Sequence, residues 1–148
     1  MSLVLVKDVE VTLTDTLSSN LNEVYFGNSF DITCVADGGR IPSYLKFDRT
    51  PHGSSTASEI VLYNMPGKTP TSVAVSAEAN TLTYVHPVTR SDYDDDGTYK
   101  CLSKNRAASE VEKENIKSTD IIVGQCSKHL LIFTNCIYCS IPVSQCEL

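Results

Sequence analysis

Six cysteines, a cluster of aspartates and three histidines are the side chains of this 148-residue chain best suited to bond, coordinate or catalyse. Cys34 and Cys101 each fall on the inward phase of an alternating apolar run, 67 positions apart. That separation suits a covalent bond between two packed layers. The other four cysteines, Cys126, Cys136, Cys139 and Cys146, crowd the C-terminal end. Their single Cys-x-x-Cys, Cys136 to Cys139, lacks the second pair that zinc sites usually carry. Disulfides within this tail, or to another chain, are therefore expected instead of a metal. Asp92, Asp94, Asp95 and Asp96 could gather oxygens for calcium, but that ion takes about six to eight oxygen ligands. Residues 92–96 alone cannot close such a shell, so a solvated loop is expected there.

The histidines fall far apart: His52 in a Pro/Gly/Ser loop, His86 just before Pro87, and His129 in the tail. No Gly-x-Ser-x-Gly, phosphate loop or His-Glu-x-x-His accompanies them. Surface positions are expected for all three, with no catalytic residue and no cofactor.

Short alternating runs separated by turn residues make up the rest of the chain. Val9, Val11 and Leu13 alternate as an edge strand, and Thr14 to Asn22 reads as a loop or strand switch. Val24 to Cys34 reads as one core strand in which Gly27 makes a turn and Phe30, Ile32 and Cys34 face inward with period two. Turn residues at Asp37 to Pro42 precede a strand from Tyr44 to Arg49. Further strands are expected at Ile60 to Tyr63, Val73 to Val75, Leu82 to Val85, Thr98 to Lys104 and Asp120 to Val123. Seven or more such strands are the pattern of an all-β sandwich.

The run Asp95-Asp96-Gly97-Thr98-Tyr99-Lys100-Cys101, read with Cys34 and its strand, resembles the immunoglobulin superfamily. The resemblance covers roughly Val9 to Val123 and implies a two-sheet Greek-key sandwich with an inter-sheet disulfide, Cys34 to Cys101. It makes Tyr99, two residues before Cys101, the tyrosine whose hydroxyl returns to the backbone at the corner. Asp95 takes the place of a corner aspartate that pairs with a basic residue, for which Arg40, Arg49 and Lys68 are candidates. Phe47 stands where the family usually carries a tryptophan against the disulfide, and this chain has no Trp. A ring without the indole donor implies a weaker core pin.

The spacing between Phe47 and Leu82 leaves room for an extra strand, as in the variable or intermediate subtypes. Cys101-Leu102-Ser103-Lys104-Asn105 is similar to the intermediate set's Cys-x-Ala-x-Asn, and no Gly-x-Gly bulge precedes the last strand. The family's usual contact surface would here present Tyr44, Lys46, Lys100, Leu102 and Lys104. The loops Asp37 to Ser43 and Arg106 to Asn115 would flank it.

Composition fits this reading. A sandwich of this kind takes about 100 residues, so residues 1–124 are read as the domain and 125–148 as a cysteine-rich apolar tail. With a formal charge of −6 and only 12 dispersed basic residues, the chain lacks the clustered cations that bind phosphates, and nucleic acid is not an expected partner. Leu130 to Val143 is apolar but shorter than the roughly 20 residues needed to span a bilayer. Packing as an added strand or hairpin is expected for it, and attachment to a membrane only through an anchor outside this chain.

Disulfides persist in oxidising compartments, so an extracellular location is expected. Met1 to Asp8 lacks the basic start and long apolar run of an export signal, and Met1-Ser2-Leu3 reads as an added leader. An extracellular adhesion or receptor module that binds a protein partner, homophilically (as a homodimer) or heterophilically, is the function the resemblance implies. Two other roles of the same fold compete with it. One is a spacer in an intracellular muscle scaffold, favoured by the absence of any Asn-x-Ser/Thr acceptor; the other is a soluble pathogen-binding defence module.

Overall fold

The computed structural model describes residues 9–17, 22–38, 44–65, 67–72, 75–78, 80–104 and 114–124. Nine strands run through them: β1 Glu10–Asp15, β2 Glu23–Tyr25, β3 Phe30–Asp37, β4 Tyr44–Thr50, β5 Ser58–Tyr63, β6 Ser76–Glu78, β7 Thr81–Val88, β8 Gly97–Lys104 and β9 Glu114–Gly124. A single 3-10 turn, Tyr93–Asp95, sits between β7 and β8. One sheet has the order β1-β3-β7-β6 and the other β2-β9-β8-β4-β5. This is an immunoglobulin-like sandwich.

Alternation decides which side of each strand meets the core. On β3, Phe30, Ile32, Cys34 and Ala36 are buried while the residues between them are half-buried, as period-two geometry requires. Facing them from the second sheet are Leu45 and Phe47 on β4, Tyr99 and Cys101 on β8, and Ile121 and Val123 on β9. Each large apolar side chain taken fully out of water contributes about 1.5–3 kcal/mol, so these two rows provide the main attraction between the sheets. Cys34 of β3 and Cys101 of β8 are bonded across the gap with Cα atoms 5.9 Å apart, within the usual range for a disulfide.

Four expectations are corrected in detail. Val24 to Cys34 is two strands in different sheets: β2 runs parallel to β9, and β3 pairs with β1 and β7. Gly27, at φ +91°, makes the crossing, a conformation that glycine adopts without a Cβ penalty. The strand expected at Leu82 to Val85 continues to Val88. Pro87 is tolerated because, among the described residues, β6 pairs only with Thr81, Leu82 and Thr83, so a missing N–H at Pro87 breaks no described ladder bond on that side of β7. β9 begins at Glu114 instead of Asp120, because it pairs with β8 along the whole length of that strand. The strand expected at Val73 to Val75 is found as β6, later in the chain, with residues 73–74 outside the described set.

Candidate interaction surface

In the five-stranded sheet the inward phase of β4 and β8 belongs to Leu45, Phe47, Tyr99 and Cys101, so Tyr44, Lys46, Lys100 and Leu102 take the outward phase. Register places Lys46 between Leu62 on β5 and Leu102 on β8, with Ile116 of β9 beside Leu102. The expectation that Tyr44 is exposed is wrong. Tyr44, Leu62 and Leu102 are each only 8% exposed. Alternation sets the direction of a side chain, not what lies over it. Lys46 and Lys100 are half-buried, and the side chain of Lys104 lies outside the described set. On β9 the same outer face is bare: Ile116 is 47% and Ile122 44% exposed.

Asp48 shares this outward phase and was not singled out by the sequence. It is only 5% exposed; Lys46 Nζ stands 3.4 Å from its Oδ2, while Oδ1 has no hydrogen-bond partner. A sheltered carboxylate oxygen without a donor is costly. An Asp two residues from a Lys in a strand was the available signal, since i and i+2 share a face.

The acidic corner is organised by backbone amides. Asp92 Oδ1 accepts from the Asp94 N–H at 2.8 Å, and Asp95 Oδ2 accepts from the Asp92 N–H at 2.8 Å, closing a capping box on the 3-10 turn. Asp95 was expected to pair with Arg40, Arg49 or Lys68. Instead, its carboxylate turns back on its own loop, and the corner's contact with the β4–β5 loop is made one residue later, between Asp96 and His52 Nδ1. Asp96 also accepts from the Val123 N–H at 3.1 Å, tying the β4–β5 loop to the end of β9. Arg40 lies outside the described residues.

Tyr99 is the corner tyrosine: its hydroxyl donates to the Asp95 carbonyl at 2.7 Å. Burial, with Asp95 nearby, pushes this phenol up to about 12. Gly97, at φ +151°, passes so close to β4 that a Cβ would lie 2.5 Å from the Thr50 carbonyl oxygen. Fully buried Ser91, missed by the sequence reading, joins the corner to the β2–β3 turn through its hydroxyl on the Tyr25 carbonyl at 2.7 Å. Next to it an exposed aromatic pair, Phe26 and Tyr93, packs with ring centroids 5.3 Å apart.

His86 is also corrected. It points inward from β7, half-buried against Phe47 and Tyr99, because residues 82, 84, 86 and 88 share the core phase. Phe47, fully buried, completes this cluster with Tyr84 at 5.3 Å, so several smaller rings occupy the region around the disulfide. His52 is exposed, as expected.

The cysteines Cys126, Cys136, Cys139 and Cys146, together with His129 and the two flanking loops in large part, lie outside the described residues. Among the described residues no helix is long and apolar enough to cross a membrane. The fold and the disulfide define an immunoglobulin-like β-sandwich. No family model matches the chain, and no curated protein matches it.

Proposed function

We propose that this chain is a recognition module of the immunoglobulin superfamily, of the intermediate-like type, that binds a protein partner in an extracellular setting without catalysing a reaction. The observation that carries this reading is the Cys34–Cys101 bond joining the two sheets, because such bonds persist where thiols are not kept reduced. The added edge strand β5 and the corner bond from Tyr99 to Asp95 support the subtype. Contact is assigned to the outer face of the five-stranded sheet on its β8–β9 side, where Lys100 lies between β4 and the exposed Ile116 and Ile122. Apolar side chains ringed by polar ones suit a protein partner.

The test is binding of fluorescent full-length protein to cell surfaces, with and without prior protease treatment of the cells. Binding that disappears after protease, and with Ile116→Lys or Ile122→Lys, supports the reading. Binding sensitive only to glycosidase would instead favour a glycan-directed defence module. Light scattering at rising concentration, in oxidising and reducing buffer, separates homophilic from heterophilic contact. A thiol count on denatured, unreduced protein tests the compartment: six free thiols would indicate an intracellular scaffold module.

A further inference from the structure

Along most of its length β9 is paired on one edge only among the described residues. β8 runs beside it from Glu114 to Ile121; on the other edge β2 covers Ile122, Val123 and Gly124, and no described strand pairs with Glu114 to Asp120 there. The bonds to β2 fix which backbone groups that leaves. The Ile122 N–H donates to the Asn22 carbonyl at 3.1 Å, and the Gly124 carbonyl accepts from the Phe26 N–H at 2.8 Å. The N–H and C=O of one residue point to the same side of a strand, and the side alternates from residue to residue. Glu114, Ile116, Ser118 and Asp120 therefore turn theirs to the open edge, while Asn115, Lys117 and Thr119 direct theirs to β8.

Beside this edge lies a groove of about 860 Å³ between the two sheets, lined by Val9, Val11 and Leu13 on one side and Asn115 and Lys117 on the other. Its volume is in the range of sites that hold ligands, about 300–1,000 Å³. β1 borders it with a second edge: the Thr16 N–H donates to the Asp31 carbonyl on β3 at 3.1 Å, so by the same alternation Val9, Val11 and Leu13 turn their backbone groups away from β3, and the Val9 carbonyl accepts from the Asn115 side chain. Lys117 has the inward phase of the core residues Ile121 and Val123, yet it is exposed. It makes no ion pair with a described residue. Glu10, Thr12 and Thr14 take the exposed outer phase of β1, so Lys117 is the one charged side chain directed at the groove among the described residues.

We propose that this edge of β9 receives an extended segment of a protein partner as an added strand, in line with β2, with an acidic side chain beside Lys117 and an apolar one beside Ile116. The open backbone groups of Ile116 and Ser118 repeat about every 6.5–7 Å, the two-residue repeat of an extended chain. In sites of this kind backbone pairing supplies affinity, and side chains at alternate positions supply specificity. The inward positions of the added strand meet Lys117 and Leu13, where a carboxylate compensates the cation. Its outward positions lie beside Ile116, which is 47% exposed. A second copy of this chain fits less well. Two β9 edges joined about a two-fold axis would bring both Lys117 side chains into one groove, between chains that each carry a net charge of −6, and like charges across strands are destabilising. The site rests on backbone direction and on Lys117, not on compartment or on the outer-face contact at Ile122, so its failure would leave the recognition reading standing.

The test selects displayed random peptides about ten residues long, the upper end of ordinary strand lengths, on the full oxidised chain, and follows amide hydrogen exchange by NMR. In the free protein the Ile116 and Ser118 amides should exchange about tenfold faster, or more, than those of Lys117 and Thr119, which donate to β8. Selected peptides should alternate Asp or Glu with apolar residues and should slow exchange at Ile116 and Ser118. Ser118→Pro removes an edge N–H and no bond to β8, so it should weaken those peptides about tenfold, whereas Ser118→Thr keeps the N–H and should not. Lys117→Glu, which leaves the strand backbone unaltered, should turn the selection to peptides bearing Lys or Arg. Slow exchange at Ile116 and Ser118 in the free protein at every concentration would mean that the chain itself already pairs there, and slowing that grows with concentration would mean a second copy. Failure to select any peptide, or peptides bound equally well by Ser118→Pro, would mean that the edge takes no strand. Each of these results overturns the proposal.

Discussion

The imidazole of His86 sits 5.6 Å, centroid to centroid, from the ring of Phe47 and the same distance from Tyr99, with its Nδ1 3.1 Å from the Tyr84 hydroxyl. A titratable ring is thus part of the aromatic packing between the sheets. Burial holds His86 below its ordinary value of 6.5, with Arg49 acting in the same direction and Asp95 and Asp31 opposing.

Stability should therefore depend on this residue in mild acid. A histidine whose folded pKa is lowered binds its proton more readily in the unfolded chain, so its contribution is complete above 6.5 and is lost as pH falls through the folded value. The limiting slope for one proton is about 1.4 kcal/mol per pH unit. Urea midpoints taken between about pH 7.5 and 5 should fall more steeply for the wild type than for His86→Leu. Parallel curves would remove His86 from the account.

Tyr99→Phe should lower unfolding free energy by about 1–2 kcal/mol, since it deletes one hydrogen bond and leaves the Asp95 carbonyl without its donor. In the wild type the raised phenol makes the opposite pH prediction. Its folded value lies above the ordinary 10.0, so stability is lost as pH rises beyond 10. Ultraviolet titration should show one tyrosine ionising only together with unfolding.

Gly97→Ala should cost about 1–3 kcal/mol, because the new methyl would meet the Thr50 carbonyl and the backbone is in a region that side chains rarely adopt. Gly53→Ala, which shares a positive φ but meets no neighbouring atom, separates the two causes. Similar losses at both sites would assign the effect to backbone conformation alone.

Lys46→Met should destabilise by about 1–2 kcal/mol, since it leaves Asp48 sheltered without its cation. Adding Asp48→Leu should restore most of that loss, because a well-packed apolar pair often equals a sheltered ion pair. A double-mutant cycle in urea measures both steps, and additive losses would contradict the pairing.

Replacing Cys34 and Cys101 by Ala and Val should remove about 4 kcal/mol, the chain-entropy value for closing a loop of this length. Calorimetry of the variant against the wild type reads the difference. A loss well under 1 kcal/mol would mean that aromatic packing alone holds the sheets together.

Much of the strand pattern was legible because alternation is local: Phe30, Ile32 and Cys34, or Leu45 and Phe47, declare their face through their neighbours. The corner was legible too, since Gly97, Tyr99 and Cys101 stand at fixed offsets within one short run. The division of Val24 to Cys34 between two sheets was not, because both halves alternate and only their pairing partners differ. Nor was the contact of Asp96 with His52, which spans 44 positions, or the inward turn of His86, whose proline neighbour resembles a strand end.

The all-β class and the inward phase of Cys34 and Cys101 were determined by the amino-acid order itself, through residue types repeating at the period of the extended chain, and the covalent staple and the corner tyrosine followed from the resemblance carried by the run Asp95 to Cys101. Only the tertiary structure decided that Tyr44, Leu62 and Leu102 are sheltered while Ile116, on the same face, is bare. Direction relative to a sheet is a property of a few consecutive residues. Shelter depends on what lies over a face, and no local period encodes it.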